Sequence, residues 1–434
     1  MTTKIVATGD AILFADLPAA YAEKREALDA FLSEGDVRIT NLETNVSDFG
    51  TFANQYSGGT WHNTRKEAFR ALETFGFNFF GTANNHAMDY SYAGLLSTVD
   101  LLDEKGYAHA GSGRSLDEAE KPAILNLPGG KTAAIFAVDA SMERPSMAGR
   151  GSKVFAARPG VNYLRHETVY TVSDDEMADL RRIAEKTSIN FLRDEDIRTG
   201  YVLPDPEGVF VFGGTTFTTR PGTPVSRCNR KDLRRLCGNI EKAKAENDLV
   251  FILVHCHDEE EKNERIPPAY LKEFCRSAID AGASAVFGGG VHVLRGLEIY
   301  RGKPVFYSLG DFIYQGWSVE YLPPDFMEKY GLDVDASAKE ALWTRSRGGK
   351  IGLMTEEKNL LTVVPQLSSE NGELTDLTLM PVKLGFKTGD ETLEGLPCYA
   401  TGDEGEKIFQ KYGELSRDLG TELTYQNGLI KIKG

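Results

Sequence analysis

The segment VFGGGVHVLRGLEIYRGKPVFYSLGDF, residues 286–312, joins an apolar run to a glycine-rich turn that carries His292, and then opens a second apolar run. A short apolar run bounded by glycine reads as a buried strand. In α/β folds, ligands bind beyond the carboxyl ends of such strands. His292 therefore lies where a strand would deliver a metal-ligand side chain to a cleft.

Outward from this segment, strand patterns fall at residues 4–7, 37–40, 77–81, 132–138, 249–255, 284–287 and 304–308, alternating with helical patterns. Leu233, Leu236, Cys237, Ile240 and Ala243 recur at helical spacing, as do Leu271, Phe274, Cys275, Ala278 and Ile279 ahead of Gly282. Ser173 and Glu176 form a capping box that opens a helix through Met177, Leu180 and Ile183. This alternation is the signature of α/β layering. Residues 142–222, polar and rich in Arg and Gly, interrupt it and are expected to form a lid or subdomain over the site within a main domain of residues 1–318. Residues 319–434 read as a C-terminal extension that packs on the same domain, with a two-stranded pattern around Glu370-Asn371-Gly372.

The chain has 434 residues and a net charge of −15. Phosphate backbones are bound by concentrated Lys and Arg, so this balance argues against a nucleic-acid partner. A small anionic substrate is compatible with it where metal ions and a few arginines reverse the sign locally. The five cysteines (228, 237, 256, 275 and 398) have irregular spacings and no CxxC pair, which reads as reduced thiols of a cytoplasmic protein. The start MTTKIVATGD has no signal-peptide pattern, and no apolar stretch approaches the roughly 20 residues that span a bilayer. No membrane association is expected, and the oligomeric state is not legible.

Four more segments end strand patterns in chemistry-bearing residues: VATGDAIL with Asp10, ITNLET with Glu43, GTANNHAMDYSYAG with Asn84, Asn85, His86 and Asp89, and FILVHCHDE with His255 and His257. Alternate residues of an extended strand share a face, so His255 and His257 are expected to point into the cleft and Cys256 into the core. Asp89 is placed to orient the His86 ring, a contact that fixes the tautomer and raises basicity. His62, His109 and His166 lie outside these segments and read as structural.

Together, the five segments resemble the CapA family, associated with poly-γ-glutamate capsule synthesis, and through it the calcineurin-like metallophosphoesterases. The resemblance spans roughly residues 4–315 and implies a four-layer α/β/β/α sandwich. It implies that Asp10 binds one divalent ion, that Glu43 lies between two, and that Asn85, His255, His257 and His292 complete the ligand set. Oxygen and imidazole donors in this mixture suit Mn, Zn or Fe, one or two per chain. His86 would serve as general acid or transition-state stabiliser, with Asp89 beside it.

Two departures stand out. The family's GHGPHV or GAHPHV reads GGGVHV here, with Gly289 and Gly290 where an imidazole is expected, and YSLGNF reads YSLGDF, with Asp311 in place of the amide. Ile12 stands where metallophosphoesterases proper carry the histidine of their first motif. Asn84, Arg158, Arg295 and Asp311 are expected to contact substrate, the arginines because a guanidinium binds carboxylate or phosphate in bidentate fashion. The expected function is a metal-dependent hydrolase in which metal-bound hydroxide attacks a phosphoester or a γ-glutamyl-type amide of an anionic substrate. The alternatives are a non-hydrolytic component that binds an acidic polymer in poly-γ-glutamate synthesis, and a mononuclear enzyme forming or rearranging an amide bond.

Overall fold

A computed structural model describes residues 2–260 and 262–433. The chain lays down half of one sheet, builds all of a second, and returns to complete the first. The first half comprises β1 (Thr3–Ile12), β2 (Val37–Leu42), β3 (Phe79–Gly81) and β4 (Ala108–Ala110), all parallel neighbours. The second sheet comprises β5 (Ala123–Leu127), β6 (Lys131–Asp139), β7 (Leu249–Cys256), β8 (Ala285–Gly290), β9 (Leu294–Tyr300) and β10 (Lys303–Leu309), in the order β9-β10-β8-β7-β6-β5. The chain then returns through β11 (Asp311–Tyr314), β12 (Leu361–Glu370), β13 (Glu373–Leu384), β14 (Pro397–Tyr399), β15 (Leu423–Gln426) and β16 (Leu429–Ile432). The completed first sheet runs β15-β16-β13-β12-β1-β2-β3-β4, with β11 on β1 and β14 on β13.

Period-two burial assigns the faces. In β7, Leu249, Phe251 and Leu253 face Ile5, Ala7, Ile39 and Phe79 of the first sheet, whereas Val250, Ile252 and Val254 face helices. The main helices are α1 (Ala22–Ser33), α2 (Ser91–Lys105), α3 (Asp174–Thr187), α4 (Phe191–Thr199), α5 (Arg230–Glu246), α6 (Ala269–Asp280), α7 (Pro324–Lys329), α8 (Ala338–Arg345) and α9 (Gly402–Arg417). The stripes on α5 and α6 cover the outer face of the second sheet, and Leu28, Phe31 and Leu32 of α1 cover that of the first. The protein is thus an α/β/β/α sandwich, as the sequence pattern and resemblance imply.

The capping box forms at the start of α3. Between α4 and α5, short strands Val209–Phe212, Thr215–Thr218 and Ser226–Cys228 join His166–Thr171 in a small separate sheet. The hairpin β12–β13 turns at Asn371 (φ 54°) and Gly372 (φ 82°), the two left-handed residues of the tightest hairpin turn. Sequence pattern did not reveal β5 or β9, each an edge strand of the second sheet.

Candidate metal centre

The ligand-type residues converge where the carboxyl ends of β1, β2, β7 and β8 meet. β1 carries a register shift at Asp10, and there β11 approaches so closely that a Cβ on Gly9 would lie 1.7 Å from the Gly310 carbonyl oxygen. Gly9 is therefore required for the sheet to close beside Asp10. Asp10 accepts hydrogen bonds from Asn41 Nδ2 (2.7 Å) and the Gly290 backbone N–H (2.6 Å). Gly289 leaves room for that carboxylate, since a Cβ there would stand 2.6 Å from Asp10 Oδ1. The glycines found in place of the expected imidazole thus seat Asp10.

Glu43 is fully buried, and among the described residues neither of its carboxylate oxygens has a hydrogen-bond partner. Three imidazole nitrogens stand off Oε1: His255 Nε2 at 3.4 Å, His257 Nε2 at 3.8 Å and His86 Nε2 at 3.9 Å. Two groups able to hold a metal ion share this residue, Asp10–Glu43–His255 and Glu43–His257–His292. A buried carboxylate whose free oxygens meet imidazole nitrogens without hydrogen-bond geometry suits a cation, because burying an unpaired charge is costly. Burial works against ionisation of Glu43, but the surrounding histidines, His255 foremost with His257 and His292, together outweigh it and hold the carboxyl well below its ordinary range. Likewise, Glu43 and Asp10 hold the His255 imidazole well above its usual value despite burial.

Asn85 joins this centre, its Oδ1 2.7 Å from His255 Nε2. His257, half-buried, lies 3.2 Å from His255 through their Nε2 atoms, and Cys256 between them is buried in the helix-side core, as strand alternation requires. His292 adopts φ 58°, an uncommon conformation for a residue with a side chain, and its Nδ1 lies 2.8 Å from Asp311 Oδ1. Nε2 is then the ring nitrogen left for a metal. Burial opposes the His292 charge, yet Asp311 lifts its pKa to about 9.

His86 forms the second focus. Its Nδ1 is 2.6 Å from Asp89 Oδ2, and Asp89 also accepts the backbone N–H groups of His62 and Gly58. Burial pushes Asp89 up to about 8 and His86 down to about 3, so the pair favours the form without net charge. His62 stacks on His86 with ring centroids 3.7 Å apart and planes at 12°. The structural reading of His62 is corrected here: it lies inside the site. The sequence offers a trace of this, since Trp61-His62 follows the glycine pair of a turn. Asp139 was also missed. It ends β6 beside His255, is fully buried, and leaves Oδ2 without a partner among the described residues.

The expected substrate contacts fare differently. Asn84 is buried and spends its amide on Asn41 Oδ1, the Leu42 carbonyl and the His86 N–H, which shapes the loop. Asp311 is buried against His292 and orients its ring. Arg295 is completely buried, and its guanidinium donates to the carbonyls of Asp258 and Glu264. That guanidinium braces the stretch after His257 and presents no face to a substrate, because strand alternation on β9 turns it inward. Arg158 is exposed and donates to the Met147 carbonyl. His109 and His166 stay outside the centre, pairing with Asp103 and stacking on Tyr270.

Two proteins of Sinorhizobium fredii, the uncharacterized proteins y4sH and y4uA, are each 31% identical to the chain over 99% of its length and 93% of theirs. The PGA biosynthesis protein CapA of Bacillus subtilis is 26% identical over 59% of the chain and 47% of its own length. A probable polyglutamine synthesis accessory protein of Mycobacterium tuberculosis is 26% identical over 65% of the chain and 57% of its own. The family model for bacterial capsule synthesis proteins, PGA_cap, matches residues 4–316, the same stretch that supplies both ligand groups and the His86–Asp89 pair. The chain belongs to this family of bacterial capsule synthesis proteins.

Proposed function

We propose that the protein is a metal-dependent hydrolase acting on an anionic substrate, a phosphoester or a γ-glutamyl amide. The observation that carries this reading is Glu43, buried with both oxygens free and common to two ligand groups. Asp10 and His255 would hold one ion, His257 and His292 the other, with Glu43 between them and Asn85 beside His255. Manganese, zinc or iron held there would supply Lewis acidity and would make water nucleophilic at neutral pH. His86 delivers a proton to the leaving group from Nε2, the ring nitrogen that Asp89 leaves free, as the Asp89 carboxyl passes its own proton to Nδ1, and stacking on His62 fixes the ring plane. Family membership and the names of the Bacillus and Mycobacterium relatives, for PGA biosynthesis and polyglutamine synthesis, favour a glutamyl amide over a simple phosphoester. The free cysteines accord with a cytoplasmic setting, and among the described residues no helix is long and apolar enough to cross a membrane.

A second reading, a non-hydrolytic accessory that binds an acidic polymer, is favoured by the name of the Mycobacterium relative as an accessory protein. Elemental analysis before and after chelation and reloading, followed by assays on phosphoesters and γ-glutamyl peptides, separates the two. Near two ions per chain with turnover supports the hydrolase. No retained or reloadable metal refutes it.

A further inference from the structure

The arginines first expected to bind an anion are committed elsewhere, yet the C-terminal stretch brings a different one to the site. Arg345 is the last residue of α8 and lies outside the family match, which ends at residue 316. The helix is seated by an apolar cluster in which Ala338 and Ala341 pack with Ile12, Phe14, Trp61, Tyr90, Phe326 and Met327. Ile12 ends β1 two residues beyond Asp10, and Trp61 adjoins His62, so this cluster anchors α8 beside the metal centre.

The guanidinium is only partly buried, and Nη1 donates to Thr60 Oγ1 at 2.6 Å. That is its only hydrogen bond among the described residues, and among them it makes no ion pair. Thr60 belongs to the turn that covers the catalytic loop. Gly58 accepts from Asn85 Nδ2 at 3.0 Å, and a Cβ on Gly58 would lie 2.8 Å from His86 Nε2. Tyr314 packs against the same apolar cluster, and its ring lies 5.9 Å from that of His292, which gives a second bearing. Arg345 is thus tied to the turn that packs on His86 and keeps most of its donors unused, the state in which a guanidinium recognises a planar oxyanion.

We propose that Arg345, carried to the cleft by α8, binds the anionic group of the substrate, a phosphate or a carboxylate, beside His86. This deepens the hydrolase reading and rests on it for the identity of the site. Its test is calorimetric. Full-length protein, metal-loaded and metal-free, is titrated with inorganic phosphate and with γ-glutamylglutamate, as wild type, Arg345→Ala and Arg345→Lys, with metal content and melting temperature measured for each.

Wild type is expected to bind one of the probes, and the one it binds identifies phosphate or carboxylate as the recognised group. Arg345→Ala weakens that binding by about ten- to a hundredfold, the loss of a charge-assisted hydrogen bond, with metal content unchanged. Arg345→Lys recovers only part of it, because an ammonium lacks the planar fork. Should Arg345→Ala melt early, the lysine variant carries the test. Equal binding by wild type and the folded variants, or no binding of either probe by wild type, overturns the proposal and leaves Arg345 as a cation at the end of a helix. Binding that depends on Arg345 in a protein that holds no metal would sink the hydrolase reading and leave this one standing.

Discussion

Gly289→Ala is the most direct test of how the metal centre is built. A methyl group at residue 289 would lie 2.6 Å from Asp10 Oδ1, 2.8 Å from Oδ2 and 3.0 Å from Cγ, inside any tolerable contact. Asp10 cannot yield easily, because Asn41 and the Gly290 N–H fix its carboxylate from two sides and its strand lies between β2 and β12. Displacing it forfeits at least one hydrogen bond to a charged group, worth about 1.5–3 kcal/mol. That is roughly a ten- to hundredfold loss of affinity for the ion held by Asp10, Glu43 and His255. The Glu43–His257–His292 group contains no atom displaced by the methyl, so its ion is expected to stay. Competition titration against a chromophoric chelator should resolve one weakened and one wild-type site. Gly289→His, which restores the family's imidazole type near this position, is expected to do worse than alanine. Two sites of wild-type affinity in Gly289→Ala would refute the account of why glycine stands there.

Asp311→Asn should produce the opposite asymmetry, weakening the ion at His257 and His292 by roughly 10–100-fold, since the carboxylate holding His292 Nδ1 is lost; the same titration checks it. His86→Ala should retain wild-type metal content but lose about 10²–10⁴ in kcat, and a His86 variant with wild-type turnover would remove this residue from the proton-transfer step. Metal loading at pH 7 should release protons, because Glu43 and Asp10 keep His255 protonated in the metal-free protein and a ligand must be neutral. Apparent affinity should therefore rise with pH, and that of the group containing His292 should level off near its pKa of about 9; calorimetry in buffers of different ionisation enthalpy measures the protons, and a pH-independent affinity contradicts the assignment.

Local patterns in the sequence were enough for the layered fold and for most of the centre. Short apolar runs mark β1, β7 and β8, helical stripes mark α5 and α6, and Asn371-Gly372 marks a hairpin, because each of these signals is complete within a few neighbouring residues. Ligand-type residues at strand ends inherit that legibility: Asp10, Glu43, Asn85, His255, His257 and His292 all lie at the centre. What tertiary structure alone decided depends on which distant segments become neighbours. His62 meets His86 only because the loop before β3 folds over it, and Asp139 meets His255 only because β6 pairs with β7. Gly289 reads as a missing ligand until β1 and β8 are packed face to face, when the space it leaves holds a carboxylate 279 positions away in the chain. The arginines show the same division. A guanidinium reaches far enough that its backbone position says little about its partner, so Arg295 turns inward to two carbonyls while Arg345, in a stretch without a motif, reaches Thr60 in the turn that packs on His86.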